Sequence, residues 1–529
     1  MNNLLVLPLL IPLSTGVILL FLKNKMIAQR WISALGMVLN LASACLILYQ
    51  VKAEGIQTLH MGGWLPPYGI VFVADMFAAL LLLMTSVVSI GCLCCAFGTV
   101  GGARERNYFY PFLQFLLVGV SGSFLTGDLF NLFVCFEVML ISSYALLVLG
   151  GTRLQLRETL KYMLINIVSS TLFVAAVAYL YGTVGTLNMA DLSLRVAEAG
   201  QEGVLNVIAI LFLVVFAIKA GLFLFFWLPG SYSAPPAVVT ALFGALLTKV
   251  GLYALIRTFT LIFYHEPAAA HSWIGWMAGA TMILGALGAV AYSDIGRILN
   301  YNVIISVGLI AFGLAASTEE SLNGVVFYLL HDMAAKALLF ILGGIIVGLS
   351  GTRRLQEMGG LMKRCPPIGW MFFLTALAIA GIPPLSGFAG KLLLIQGGLR
   401  AGYYGLSAVS LLTSLIVLYS LLRLFMAAFW GEAKAQPASL PPSSGFALMP
   451  AAAAAAVSTS TRRAPASAST SARAITLAPV RKRLVLASGA LLLIVISMGI
   501  GSEWVYSFTA EAGETLMNPA IYIDAVLKE

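Results

Sequence analysis

The chain has 529 residues, of which 60% are hydrophobic and only 10% charged, with a mean hydropathy of +0.98. Soluble domains carry roughly 25% charged residues, so a soluble globular protein is excluded. A net charge of +9 would point to nucleic acid in a soluble chain, but a membrane protein gathers Lys and Arg in short loops on one side of the bilayer, which accounts for the excess without a nucleic-acid partner.

A helical span needs about 20 mostly apolar residues to cross roughly 30 Å of hydrocarbon. Fourteen stretches qualify, at approximately 3–22, 31–51, 71–97, 108–125, 129–150, 162–184, 204–227, 238–262, 273–292, 298–316, 321–349, 368–398, 404–429 and 484–508. The expected fold is therefore an all-α polytopic membrane protein. The first stretch lacks a basic leader and a small-residue cleavage site, so it reads as a retained span and not as a signal peptide. Residues 188–200 (NMADLSLRVAEAG) mix polar and apolar positions and suit a helix lying at the outer surface. Residues 432–480 are rich in Ala, Pro and Ser and read as a mostly disordered inner loop. The resulting organisation is 1–107, three N-terminal spans; 108–262, spans four to eight; 263–430, spans nine to thirteen; 431–483, a low-complexity cytoplasmic loop; and 484–529, the last span and its tail.

If the spans alternate, loops after odd-numbered spans share one face. That face collects 20 of the 30 basic residues, from Lys23 and Lys25 through Arg153, Arg157, Arg353 and Arg354 to Arg481, Lys482 and Arg483. The opposite face holds Lys52, Arg195, Arg257, Arg400 and Lys528, together with most loop carboxylates, such as Asp191, Glu198, Glu319 and Glu320. Both termini are therefore expected outside. Six cysteines, Cys45, Cys92, Cys94, Cys95, Cys135 and Cys365, show no metal-ligand spacing and read as small packing residues.

Five basic residues remain inside spans: Lys219, Lys249, Lys336, Lys391 and Arg423. Arg423 lies near a helix end and reaches the interface. Each of the four lysines costs about 2.5 to 3.5 kcal/mol at a helix centre, so packing alone does not select them. Glu137 and Lys219 lie at depths that allow an intramembrane ion pair. His331 and Asp332 precede Lys336 by five and four residues and line overlapping helix faces, with Asp332 the weaker candidate because it suits the cap of a local bend. Asp75, early in the third span, reads as an interface residue. Span twelve is interrupted by Gly381-Ile382-Pro383-Pro384, and span seven ends in Leu228-Pro229-Gly230 followed by Pro235-Pro236. Proline breaks the helix, and broken helices at membrane depth occur where they line a cavity or are buried in protein. Corresponding breaks point to two inverted five-helix repeats, spans four to eight and nine to thirteen, with Lys219 and Lys391 as counterparts.

Three long segments, GDLFNLFVCFEVMLISSYALLVLG around Glu137, FAIKAGLFLFFWLPGSYSAPPAVVTALFGALLTKVGLYALIR with Lys219 and Lys249, and GIPPLSGFAGKLLL with Lys391, resemble the antiporter-like subunits shared by respiratory complex I and the Mrp (multiple resistance and pH) cation/proton antiporters. Within that family, GDLFNLFVCFEV and the ending MNPAIYIDAVL are more similar to the Mrp branch than to the complex I branch, and Lys391 stands where one complex I type, subunit M, has glutamate. The loop at 432–480 departs from the pattern by its length.

The resemblance implies a component of a Na⁺/H⁺ antiporter in a bacterial plasma membrane, working with Mrp subunits A, B, C, E, F and G and without a cofactor or an enzymatic reaction. It implies that Glu137 and Lys219 form a switching pair and that Lys249, the His331 to Lys336 region and Lys391 continue a proton relay. Beside Glu137 an ammonium on Lys219 is favoured, and separation leaves a desolvated charge that passes its proton on. A lysine row repels cations whereas sodium takes oxygen ligands, so this chain is expected to carry the proton half, with the sodium route on carboxylates at an interface or in a partner. The alternatives are the proton-pumping arm of complex I or of a hydrogenase-type complex, and a scaffold whose lysines only tie helices together.

Overall fold

The computed structural model describes residues 2–432 and 482–528; beyond Glu432, the expected low-complexity loop lies outside the described residues. The membrane-length helices are α1 (Asn3–Phe21), α2 (Met26–Glu54), α3 (Met76–Thr99), α4 (Phe109–Leu125), α5 (Leu129–Val148) and α6 (Arg153–Val184). The amphipathic α7 (Met189–Ala199) follows. Then come α8 (Val204–Ala220), α9 (Ala237–Ile262), α10 (Pro267–Ala291), α11 (Ile295–Ala316), α12 (Glu319–Ser350), α13 (Pro366–Ala380), α14 (Ser386–Arg400), α15 (Tyr404–Phe429) and α16 (Lys482–Ile500). Two helices close the chain, α17 (Ser502–Met517) and α18 (Pro519–Leu527). Among the described residues, eleven helices are long and apolar enough to cross a membrane, and three shorter apolar ones, α4, α8 and α13, bring the number to fourteen.

Local chemistry sets several boundaries. Asp75, Asp128 and Asp294 cap α3, α5 and α11 by accepting from the backbone N–H three residues on. Thr152 with Gln155, and Thr318 with Ser321, form capping boxes at α6 and α12. The third span starts at Met76 and not at 71, because Val71–Ala74 is strand β2, paired antiparallel with β1 (Gln57–His60). A short apolar run serves either a strand or a helix start, and the Asp75 cap decides. Likewise, the chain after Ile500 is not a continuation of the last span to 508 but α17, entered through Gly501.

The backbone ties one end of the bundle together. Asn2 donates to Thr58, Gly127 to Val71, Met189 to Gly127 and Leu129 to Leu187, and α18 packs on α7 beside β1. The N-terminus, the β hairpin, the loops before α5 and α7, and the C-terminal helix therefore share one end, as alternation from an even number of spans requires. The loops holding Ser293 and Arg353 are joined to each other by Ile295 N–H to Arg353 and Leu355 N–H to Ser293.

Burial separates a centre from a periphery. The apolar window of α9 is entirely buried and that of α12 is 83% buried, whereas α1, α15 and α16 reach 33%. Peripheral helices show Trp31, Leu35 and Leu39 outward, the surface a hydrocarbon solvent accepts. Arg257, placed by the sequence pattern among the outer loop charges, is instead 3% exposed within α9. One of its guanidinium nitrogens lies 2.8 and 2.9 Å from the two Asp75 oxygens, so that Asp75 is half of a buried ion pair.

Candidate proton-relay site

The enclosed helices carry the charges, and two breaks shape the places where they sit. Helix α8 stops at Gly221, whose φ of +76° suits glycine. The chain then turns through residues 222–236, with Trp227 Nε1 donating to the carbonyl of Ile218 at 3.1 Å. The second break, between α13 and α14, begins at Gly381 with φ +88°. It leaves the Ala380 carbonyl outside the helical ladder, and Lys391 Nζ donates to that carbonyl at 2.9 Å and to Ser414 Oγ at 3.0 Å. A Cβ at Gly381 would come within 2.8 Å of Lys391 Cδ, so the break is shaped around the lysine side chain.

Glu137 on α5 and Lys219 on α8 do not touch directly. Ser170 of α6 stands between them: its hydroxyl hydrogen-bonds Glu137 Oε1, and Lys219 Nζ donates to Ser170 Oγ at 3.2 Å. The ammonium also lies 5.1 Å from the centre of the Phe136 ring, within reach of a cation–π attraction. Lys219 is buried.

The next cluster is tighter. Lys249 Nζ lies 2.5 Å from Asp332 Oδ2, and Lys336 Nζ lies 3.7 Å from Asp332 Oδ1. All three side chains are buried. Lys249 also donates to the carbonyl of Gly244 at 2.8 Å. That carbonyl belongs to a π-helical turn, Phe243–Leu247, a feature found often at functional sites. Lys336 donates to the carbonyl of Asn302 at 2.8 Å. Helix α9 approaches the end of α8 at Gly251, where a Cβ would come within 2.6 Å of the Ala220 nitrogen. That contact brings the helices of Lys219 and Lys249 together.

His331, one residue from Asp332, turns toward the second break and meets Ser386 Oγ through Nδ1 at 2.7 Å. Its Nε2 lies where a Cβ on Gly387 would come within 3.0 Å. Of the six residues singled out from sequence, Lys219, Lys249, His331, Lys336 and Lys391 are buried and Glu137 is half-buried, and they fall into local groups: Glu137–Ser170–Lys219; Lys249–Asp332–Lys336; His331–Ser386; and Lys391–Ala380–Ser414. Asp332 is not the cap of a bend. It sits within the uninterrupted α12 and is the counterion of two lysines. Sequence reasoning missed Ser170, Ser386 and Ser414, since an apolar span containing serine carries no charge to draw attention. Ser386 alone had a signal, its place beside the Gly-Ile-Pro-Pro break.

Amines and carboxylates gathered in local groups beside two broken helices mark the interior of this polytopic membrane protein as its candidate site. Residues 126–417 match the family described as NADH:quinone oxidoreductase/Mrp antiporter, TM. The chain is 48% identical to the D subunit of the Na⁺/H⁺ antiporter of Bacillus subtilis (strain 168) over 530 residues, covering 100% of each. It is similar to a chain of the Mrp complex from Dietzia sp. DQ12-45-1b with a TM-score of 0.86 and 30% identity, covering 100% of both chains. A chain of respiratory complex I from Thermus thermophilus shares the fold, with a TM-score of 0.76 and 23% identity, over 97% of this chain and 100% of that one. The protein belongs to the NADH:quinone oxidoreductase/Mrp antiporter family of membrane proteins, on its Na⁺/H⁺ antiporter side.

Proposed function

We propose that this chain is the proton-carrying component of a multisubunit Na⁺/H⁺ antiporter, part of a secondary transporter and not an enzyme. The observation that carries the reading is end-to-end similarity to the Bacillus subtilis antiporter protein combined with charged groups enclosed in the centre of the bundle. Its partners are the other Mrp subunits, A, B, C, E, F and G, its transported ions are H⁺ and Na⁺, and its surroundings are the bacterial plasma membrane. Spans four to eight and nine to thirteen act as the two inverted repeats, each with a broken helix. Both termini face outward, because the opposite face carries the excess of Lys and Arg.

In this reading Glu137 and Lys219 switch between a compact and a separated arrangement. A proton released from Lys219 is passed toward Lys249, Lys336, His331 and Lys391, with Asp332 holding the middle lysines. Each step changes the field on the next group, and the membrane potential supplies about 2.3 kcal/mol per charge per 100 mV, comparable with the cost of one intramembrane lysine. Sodium takes oxygen ligands, and the oxygens of this row are engaged by lysines whose charge repels a cation, so its route lies at an interface or in a partner. The test is cation-dependent pH change in everted vesicles of an antiporter-deficient host carrying the whole gene cluster, with and without Lys219→Ala at matched assembly. Loss of exchange in the variant is expected. Unchanged exchange would leave the lysines a scaffold role, and co-purification with quinone-reducing or iron–sulfur proteins would transfer the chain to a redox complex.

A further inference from the structure

The group between Glu137 and Lys219 has a fixed polarity. An ammonium only donates hydrogen bonds and a carboxylate only accepts them, while a hydroxyl has one donor and two acceptor positions. Ser170 therefore accepts from Lys219 Nζ and spends its single O–H on Glu137 Oε1. This is a short wire already pointed from the amine to the carboxylate; its amine and hydroxyl are shielded, with Ser170 8% exposed and Lys219 5% exposed, and its carboxylate end at Glu137 is half-buried.

The neighbouring residue fixes the wire's register. Ser169 Oγ donates at 3.3 Å to the carbonyl of Val215, one helical turn before Lys219 on α8, so α6 is pinned to α8 at the level where Ser170 meets the amine. At the other end, Phe136 presents its ring to the ammonium from the residue adjoining Glu137. Three helices are thus registered on one hydroxyl.

We propose that Ser170 is a catalytic residue of the exchange cycle, the hydroxyl through which Lys219 and Glu137 trade a proton; this rests on the antiporter reading above. In the forward step an N–H bond of the Lys219 ammonium breaks as that proton bonds to Ser170 Oγ. The original Ser170 O–H bond breaks as its proton bonds to Glu137 Oε1. The products are a neutral amine, an unchanged serine and a neutral carboxylic acid, with no other reactant. The reverse step restores the charged pair. Proton exchange can then occur without the lysine and glutamate closing into direct contact, and movement of α6 by a fraction of a hydrogen-bond length would interrupt it.

The test compares the unsubstituted complex with Ser170→Ala, Ser170→Thr and Lys219→Ala, all within the complete gene cluster and at matched assembly. Ser170→Ala is expected to lower Na⁺/H⁺ exchange by about 10²-fold, the lower end for loss of a positioned proton-transfer group. Ser170→Thr, which keeps a hydroxyl on the same carbon, is expected to stay within about threefold. A second readout is the infrared carbonyl band of protonated Glu137, identified by its loss in Glu137→Gln. It is expected to move to higher frequency in Ser170→Ala as its hydrogen bond disappears. Exchange by Ser170→Ala within about twofold of the unsubstituted complex, with Lys219→Ala inactive, would overturn the serine relay while leaving the antiporter reading intact. Absence of exchange in the unsubstituted complex would instead overturn the antiporter reading, and an infrared band that does not move in Ser170→Ala would still refute the bridge.

Discussion

Replacing Asp332 by Asn tests the centre of the site most directly. The carboxylate lies 2.5 Å from Lys249 and 3.7 Å from Lys336; at an effective dielectric of about 20, those separations correspond to gross attractions of about 7 and about 4 kcal/mol. Desolvation of three buried charges opposes most of that gain, so the net worth of the cluster is small. Removing one partner is different, because it leaves uncompensated charge behind and costs about 3–5 kcal/mol. The asparagine also supplies an NH₂ that faces two amines. Unfolding of such a protein in detergent is read as a half-life, and the lower end of that cost shortens it about 10²-fold when it falls on the unfolding step. The assay is thermal inactivation of the purified complex followed by tryptophan fluorescence, alongside vesicle exchange. Asp332→Asn is expected to shorten the half-life and abolish exchange. Adding Lys249→Met, an apolar residue of similar length, is expected to restore much of the half-life without restoring exchange. A single Asp332→Asn variant with unchanged half-life and unchanged exchange would refute the argument, since Lys249 and Lys336 would then not depend on this carboxylate.

Arg257→Ala leaves Asp75 buried without its partner and is expected to cost about 3–5 kcal/mol, read as an earlier loss of folded complex on heating. Arg257→Lys should recover less than half of it, because the guanidinium also lies over the rings of Phe77, Tyr253 and Tyr522 and lysine lacks that planar face. Gly251→Ala places a methyl 2.6 Å from the Ala220 nitrogen, and the backbone there has no flexible end to give way. The expected cost is about 1–3 kcal/mol, with exchange reduced more than stability because the lysine-bearing helices are forced apart; full exchange would show that their spacing is not critical. Cys365 lies between α12 and α13, outside the spans, where burial pushes its thiol above the usual range and the neighbouring Arg364 partly offsets this. With the other cysteines replaced, labelling by a membrane-impermeant maleimide is expected in everted vesicles and not in right-side-out ones. The raised thiol means less thiolate near neutrality, so the labelling rate should climb about tenfold per pH unit below its pKa. Labelling only from the outer side would reverse the proposed orientation.

Much of the molecule was written in the chain itself. Span count follows from apolar length, because a backbone in hydrocarbon must satisfy its own hydrogen bonds, and among the described residues the fourteen apolar stretches are matched by eleven long and three shorter apolar helices. The shared end of the two termini follows from an even number of crossings, and the positions of Lys219, Lys249, Lys336 and Lys391 stand out because charge is rare in such a chain. Gly381 and the Pro383-Pro384 pair likewise announced the second break.

What only the tertiary structure decided is which of these groups meet. Depth along a span is set by rise per residue, but contact depends on helix rotation and packing, which leave little trace in a uniformly apolar sequence. The Glu137 and Lys219 depths suggested a direct pair, whereas packing of α6 inserts Ser170 between them. Asp332, which suits a local cap when seen in sequence alone, became the counterion of Lys249, a residue 83 positions away in the chain and 2.5 Å away in space. Arg257 counts with the loop charges in the sequence pattern although it falls inside its own span of 238–262; only the tertiary structure decides that its guanidinium turns inward onto Asp75, the cap of α3. A serine hydroxyl and a carboxylate acquire their roles from the partners placed opposite them, and those partners arrive from other helices.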